Sequence, residues 1–373
     1  MIVRERIAPE ITASLFANYR SAQDAIQELV DNSVDSAQPG RPVRVEVSSG
    51  PTSLRILTVG GQGMGPRQLE RDYLRWGGSP KRGRDLLGRY GQGGKAAIGH
   101  LGAAFTVEAG PAGSEEAWRF SDPDYRDRSR LKRYELERVA KKAPVADGYV
   151  LIRIDRVDRK IDSRRLAERL AWTYRPLLDT GRLSLKVDGR EVEAPAIPSL
   201  EPKRFRVRGG GGMLTGWIGL ADGSGLEPGL RCYRLGRLIC AGEFFGHPGP
   251  AHLPGMARLI GEVEIPNVPL TMNKSDFERD GPQWQRVEAR MHALLQPWAR
   301  RLAAERDSPP PASALKAALE ARRMLARVLR LSEQSEAFGG RVAQAAEAPA
   351  PEPKLPVELP ELSLIHISEP TRQ

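Results

Sequence analysis

One short stretch of the chain concentrates the side chains best suited to chemistry. Within AIQELVDNSVDSA, residues 25–37, the oxygen-bearing side chains are Glu28, Asp31, Asn32 and Asp35. At about 100° per residue these four form one stripe of a helix, opposite an apolar stripe. The polar stripe contains no Lys or Arg, and oxygen ligands of this kind suit Mg²⁺. A metal and water site and an ordinary solvated helix face both remain open from this segment alone.

A glycine-rich segment follows further along the chain and could bind an anion. In GRYGQGGKAAIG, residues 88–99, the glycines in front of a helical run are Gly88, Gly91, Gly93 and Gly94. Glycines allow backbone N–H groups to approach an anion closely, and a helix N-terminus adds partial positive charge. Lys95 could then contact a phosphate. The spacing matches neither a P-loop nor a dinucleotide-binding fingerprint, and a flexible turn is the alternative.

The surrounding pattern predicts the elements that position these residues. Helices and strands alternate up to about residue 155, which indicates an α/β unit. A second unit of strands, opened and closed by helices, follows. We divide the chain into segments 1–155, 156–306, a helix at 313–333, a disordered linker at 334–362 and a tail at 363–373. The tail, SLIHISEPTRQ, resembles a translated sequencing adapter, so we expect the natural protein to continue differently after about residue 362.

Three of these motifs, taken in order, resemble the boxes of a known superfamily. ELVDNSVDS, GQGMG at 61–65 and GRYGQGGK resemble the GHKL superfamily of gyrase B, heat-shock chaperones, histidine kinases and MutL. The third box is most similar to that of MORC proteins. VPLTMNKSDFERD, residues 268–280, resembles the transducer loop whose lysine reaches the terminal phosphate of ATP. The resemblance implies a two-layer α/β sandwich ATP-binding domain (the Bergerat fold) at 1–155 and an α+β transducer-like domain at 156–306.

The resemblance also implies a role for each site residue, with ATP and Mg²⁺ as cofactors. Glu28 is the expected general base, Lys274 the expected second catalytic residue at the phosphate, and Asn32 the expected Mg²⁺ ligand. Residues 77–87 are the expected lid. Asn32 also belongs to the expected nucleotide-binding residues, the others being Asp35, Gly61, Gly63, Met64, Gly88, Gly91, Gly93, Gly94 and Lys95.

The second box departs from the family pattern at one position. Val59 stands where the family has the aspartate that accepts the adenine amino group. Either the adenine anchor is lost, or the base is read in another way, or the recorded sequence contains an error.

Composition narrows the function classes further. No run of about 18 apolar residues and no apolar signal core is present, so we expect no membrane span and a cytoplasmic protein. The two cysteines are too few for a disulfide framework. The net charge of +10 is compatible with nucleic acid. We therefore expect a Mg²⁺-dependent ATPase that uses domain closure or homodimerisation to act on DNA or a protein client. The alternatives are a catalytically degenerate scaffold and a chaperone-like ATPase.

Overall fold

The computed structural model describes residues 11–77, 87, 91–129, 132–223 and 225–307. All of its described elements belong to one compact unit, Met1–Ser308. The predicted helix at 313–333, linker at 334–362 and tail at 363–373 lie outside the described residues, as do Gly88 and most of the predicted lid.

The helices and strands have the following bounds. The helices are α1 Ile11–Phe16, α2 Ala22–Asp35, α3 Pro66–Gln68, α4 Gly93–Leu101, α5 Ser163–Thr173, α6 Arg175–Asp179 and α7 Pro282–Asp307. The first group of strands is β1 Val43–Ser49, β2 Ser53–Gly61, β3 Gly102–Gly110, β4 Glu116–Asp122, β5 Glu137–Ala140, β6 Gly148–Val157, β7 Leu183–Val187 and β8 Arg190–Glu191. The second group is β9 Ser199–Gly209, β10 Gly212–Ala221, β11 Gly229–Arg234, β12 Arg237–Glu243 and β13 Leu259–Glu264.

The first group of strands forms an eight-stranded sheet in the order β5-β4-β3-β6-β2-β1-β7-β8. Its neighbours are antiparallel except for β1 and β7, which run parallel. Alternate residues of β1, namely Val43, Val45 and Val47, are buried, because successive side chains of a strand point to opposite faces. The sheet therefore has one face that packs on a core and one that is more open to solvent.

Helices α2 and α4 cover the buried face of this sheet. Ser21 caps α2, since its hydroxyl accepts a hydrogen bond from Asp24 N at 3.2 Å. Ile26 and Val30 of α2 and Ile98 of α4 are fully buried in the same core as the strand residues. This layered arrangement of helices on a mixed sheet confirms the predicted α/β fold class.

The second group of strands forms a five-stranded sheet in the order β12-β11-β13-β10-β9. Helix α7 packs against it through apolar residues at helical spacing, including Trp284, Val287, Met291 and Leu295. Helix α7 has 26 residues, but no helix within the described ranges combines the length and the apolar character that a membrane span requires.

The change from one sheet to the other lies later than residue 155. Strands β7 and β8 belong to the first sheet, and the first hydrophobic core includes residues up to Val192. The second sheet begins at Ser199. The segment 156–191 therefore contributes to the first sheet, whereas the predicted division had assigned it to the second unit. The division into domains itself stays a prediction.

Candidate functional site

A large cavity lies between α2, the start of α4, the end of β2 and the second sheet. Its volume is about 1350 Å³, above the roughly 300–1,000 Å³ of a typical small-molecule pocket. Strand β12 and residues 272–275, named here the 272–275 loop, line it from the second sheet. The cavity is thus large enough for a nucleotide and has walls from both sheets.

Glu28 and Asn32 face the cavity where α4 begins. A Cβ atom added at Gly93 would lie 2.0 Å from Glu28 Oε1, and one at Gly94 would lie 3.1 Å from Asn32 Nδ2. Tyr19 OH also donates to the Gly93 carbonyl at 2.8 Å. Only glycines let the nine-residue helix α4 approach these side chains so closely. The partially positive N-terminus of α4 and the polar stripe of α2 therefore meet at one point, as a phosphate site requires.

Asn32 and Asp35 both make hydrogen bonds to backbone groups. Asn32 Nδ2 donates to the Glu28 carbonyl at 2.9 Å, so its amide oxygen points away from that carbonyl. An amide oxygen is a suitable Mg²⁺ ligand, and Mg²⁺ needs only one or two protein groups when phosphates complete its coordination. Asp35 Oδ1 accepts from Leu87 N at 2.9 Å, which fixes the chain close to the glycine-rich segment.

Lys274 reaches Glu28 across 246 positions of the sequence. Its Nζ lies 2.7 Å from Glu28 Oε2 and 2.9 Å from Asp31 Oδ2. Although burial alone would lower it, the pKa of Lys274 is raised, because the carboxylates of Asp31 and Glu28 favour the charged ammonium. Lys274 has a left-handed φ of 55°, which an ordinary residue adopts only when its surroundings hold it there. The structure thus brings the two predicted catalytic residues into direct contact.

Asp31 departs from the predicted stripe because it faces the second sheet and is fully buried. Arg237 Nε donates to both of its carboxylate oxygens, at 2.8 and 3.0 Å. Tyr174 OH donates to Oδ1 at 2.6 Å, and Lys274 Nζ bonds to Oδ2. Burial alone would raise the pKa of Asp31, but the cations Arg237 and Lys274 hold it below its ordinary value. Asp31 therefore joins the two sheets, and both of its carboxylate oxygens are occupied by these partners.

Sequence reasoning missed Arg237 and Tyr174. Arg237 also donates from Nη1 to the Lys274 carbonyl at 2.9 Å, so it holds the 272–275 loop in place. Neither residue belongs to a recognisable motif. The available signal was Asp31 itself, because an acid at the edge of an apolar helix stripe needs a cation if it is buried.

Lys95 lines the cavity but contacts backbone carbonyls in the structure, and its contact with a phosphate stays a prediction. Its Nζ donates to the carbonyls of Tyr73, Arg75 and Gly91, at 2.5, 3.2 and 2.8 Å. It also lies over the rings of Tyr73 and Trp76. Burial lowers the pKa of Lys95 to about 8. The ammonium therefore joins the end of the π-helical turn Leu69–Tyr73 to the segment at Gly91. All three of its hydrogen bonds go to backbone carbonyls.

Thr58, and not Val59, faces the far end of the cavity. Val59 pairs with the exposed Arg44 of β1, on the sheet face away from the helices. Thr58 and Ser33 line the cavity with their hydroxyl oxygens 2.7 Å apart, and Ser33 also donates to the Leu29 carbonyl at 3.1 Å. Our assignment of Val59 to the adenine-reading position is therefore wrong for this structure, because the side chain of the preceding residue enters the cavity.

The remaining predicted residues border the same cavity or support it. Gly63, Met64 and Gly91 line it. Gly63 has a φ of 64°, and an added Cβ would lie 2.0 Å from the Gly110 carbonyl, so only glycine fits. Gly61 does not line the cavity; its carbonyl accepts from Gln38 Nε2 at 2.7 Å.

Comparison with known proteins agrees with this geometry. Residues 19–144 match the family model of histidine kinase-, DNA gyrase B-, and HSP90-like ATPases. This confirms the resemblance drawn from the three boxes. The matched segment is similar to the ATP-binding domains of this family, and it carries Glu28, Asn32 and the start of α4.

One curated relative is similar to part of this chain. It is Protein MICRORCHIDIA 1 of Arabidopsis thaliana, which is 31% identical over 107 residues. The alignment covers 28% of this chain and 17% of that protein. The similarity therefore supports the ATPase domain and its MORC-like character, but leaves most of the relative unmatched.

Proposed function

We propose that this chain binds ATP with Mg²⁺ and hydrolyses it, and that the terminal phosphate is sensed by the second sheet through Lys274. The observation that carries the proposal is the meeting of Glu28, the glycine start of α4 and Lys274 at one end of the cavity. Phosphoryl transfer depends mainly on positioning and on neutralising charge, and these groups supply both.

Each group has a definite part in the proposed reaction. Glu28 accepts a proton from the attacking water, for which it must exchange its contact with Lys274. Lys274 turns towards the terminal phosphate while Asp31 remains beside it. The α4 N–H groups hold the phosphate oxygens. Asn32 would hold Mg²⁺, which supplies charge neutralisation at the phosphates when bound.

The first test is a calorimetric titration of the full chain with ATP, with and without Mg²⁺. Tighter binding in the presence of Mg²⁺ is expected, and Asn32→Ala should remove most of that difference. Binding that ignores Mg²⁺ would contradict the role of Asn32. Absence of any binding would contradict the proposed function as a whole.

Replacement of Lys274 by Ala should weaken binding of a non-hydrolysable ATP analogue by about 10- to 150-fold, since a charged hydrogen bond contributes roughly 1.5–3 kcal/mol. ADP binding should change much less, because ADP lacks the phosphate that Lys274 contacts. The analogue should also make the variant less compact than it makes the unmodified protein, as measured by small-angle scattering. Lys186→Ala, at an exposed pair with Glu191, is the control. Equal losses for both nucleotides would show that Lys274 does not contact the terminal phosphate.

The hydroxyl pair of Ser33 and Thr58 is proposed to read the base in place of the missing carboxylate. A hydroxyl both donates and accepts, so it can pair with adenine or with guanine. The protein should therefore discriminate poorly between ATP and GTP. Thr58→Val should weaken binding of both by about two- to tenfold, the usual range for a neutral hydrogen bond.

Val59→Asp provides the matched control in the same competition titrations. Because Val59 lies on the opposite face of the sheet, the added carboxylate should change neither affinity. A selective gain for ATP in this variant would show that position 59 does face the base. A strong preference for ATP in the unmodified chain would show that another group reads it.

Two further proposals concern the setting of this activity. MutL-like coupling of nucleotide state to a homodimer, and action on DNA or a protein client, are supported by the resemblance and by the net charge of +10. A cytoplasmic location stays a proposal from the sequence alone.

A catalytically degenerate scaffold is the second candidate. It is favoured by one observation, that the cavity presents the neutral hydroxyls of Ser33 and Thr58 and no carboxylate from the end of β2. The calorimetric titration separates the two, since a scaffold need not bind Mg²⁺-ATP.

A further inference from the structure

The two cysteines of the chain lie directly opposite each other on neighbouring strands. The 373-residue sequence contains only Cys232 and Cys240. Cys232 on β11 and Cys240 on β12 are register partners in an antiparallel pair, and both are reduced. Opposed residues of antiparallel strands have Cα atoms about 4.5–5.5 Å apart, within the range that a disulfide spans.

The surroundings of the two thiols differ in a way that divides their roles. Cys240 is half-buried and lines the large cavity, so small molecules that enter the cavity reach it. Arg279 Nη2 lies 3.9 Å from its Sγ, so the guanidinium contacts the sulfur on the side of the loop that follows Lys274. Cys232 is fully buried, and burial raises its pKa well above the ordinary value. Cys240 is thus the thiol that can attack an oxidant in the cavity. Cys232 is the thiol that can then attack the oxidised Cys240.

We propose that Cys240 and Cys232 form a reversible intrachain disulfide when a peroxide enters the cavity. Cys240 gives its proton to the solvent, and its sulfur attacks one oxygen of hydrogen peroxide as the O–O bond breaks. Cys240 becomes a sulfenic acid, and the departing hydroxide takes up a proton from the solvent and leaves as water. The Cys232 sulfur then attacks Cys240 Sγ; the S–S bond forms, the S–O bond breaks and a second water leaves. Two thiols lose two electrons in total, and the peroxide gains them.

The position of the pair couples this chemistry to the cavity. Cys240 lies three residues after Arg237 on the same strand, and Arg237 holds Asp31 and the Lys274 carbonyl. A ligand in the cavity should cover Cys240 and slow its oxidation. Formation of the disulfide does not depend on hydrolysis, so the inference stands or falls separately from the proposed ATPase activity.

The test treats the folded full chain with hydrogen peroxide, blocks remaining thiols with an alkylating reagent, and maps the peptides by mass spectrometry. The expected result is loss of both alkylatable thiols and a cross-linked peptide containing Cys232 and Cys240, restored by a dithiol reductant. Persistence of two alkylatable thiols, or oxidation of Cys240 to sulfinic acid without a cross-link, would overturn the proposal.

Single variants test the division of roles. In Cys232→Ser, peroxide should leave Cys240 as a sulfenic acid that a dimedone probe captures. In Cys240→Ser, the buried Cys232 should stay unmodified. Arg279→Gln should slow disulfide formation, whereas Arg164→Gln, at a helix-surface pair with Glu168, should not. Oxidation of Cys232 in the Cys240→Ser variant would show that Cys240 is not the attacking thiol. If a cysteine variant does not fold, the cross-linked peptide of the unmodified chain still decides the proposal.

Discussion

Replacement of Glu28 by Ala should lower ATP turnover by about 10²- to 10⁴-fold, the usual contribution of a general base, while nucleotide binding changes little. The carboxylate is placed beside the α4 N-terminus, where an attacking water would stand. Lys274 keeps its second partner, Asp31, at 2.9 Å, so the variant should remain folded. Turnover is measured by phosphate release and binding by calorimetry.

The control for this variant is Glu46→Gln. Glu46 lies on β1 next to Arg55, at 4.0 Å, on the sheet face away from the cavity. The Glu46→Gln variant should leave ATP turnover unchanged. Unchanged turnover in Glu28→Ala would remove Glu28 from the mechanism, whereas loss of binding would mean that the residue is needed for the site to form.

Replacement of Asp31 by Ala should destabilise the protein by about 3–5 kcal/mol, because it leaves the buried Arg237 without its carboxylate partner. Arg237 loses both of its bonds to the carboxylate, and its side chain is only 8% exposed. The free energy of unfolding is measured by denaturation in urea. The double variant Asp31→Leu with Arg237→Met should recover much of the loss, since apolar replacements of a buried pair are often neutral.

An ion pair at the protein surface, between α2 and α5, provides the comparison. Asp24 of α2 pairs with Arg169 of α5, and their side chains are 27% and 43% exposed. Arg169→Met should therefore cost less than about 1 kcal/mol. If Asp31→Ala costs no more than Arg169→Met, the buried network does not hold the two sheets together.

Helical periodicity was sufficient to predict α2 and its polar stripe. The apolar residues Ile26 and Val30 are buried, and Glu28 and Asn32 face the cavity. The fate of Asp31 could not be predicted from the same pattern. Its direction depends on Arg237 and Tyr174, which lie far along the chain and enter through tertiary packing.

The approach of Lys274 to Glu28 was accessible only through the resemblance of its loop to a transducer loop. No local pattern relates residues 246 positions apart. Local pattern likewise gave no sign of the carbonyls of Tyr73 and Arg75 that contact Lys95, because they come from another segment of the chain.

The position of Val59 shows how one irregularity defeats alignment by spacing. The ladder between β2 and β6 shifts register between Val59 and Gly61, and Gly60 has a φ of 94°. Such a bulge changes which residue of the strand end points towards a given face. Counting back from the glycines therefore selects Val59, while the folded strand presents Thr58.

The parallel pairing of β1 with β7 decides where the chain can be cut for expression in pieces. The outer edge of β1 is bonded along Val43–Val47 to Leu183–Val187, which the chain reaches only after α5 and α6. A fragment that stops at residue 155 would leave this edge open, and an open edge invites pairing with other molecules. The shortest N-terminal fragment that contains every strand of the first sheet ends near Val192. Swapping of this module between proteins, in evolution or by design, has to carry both crossover helices with it.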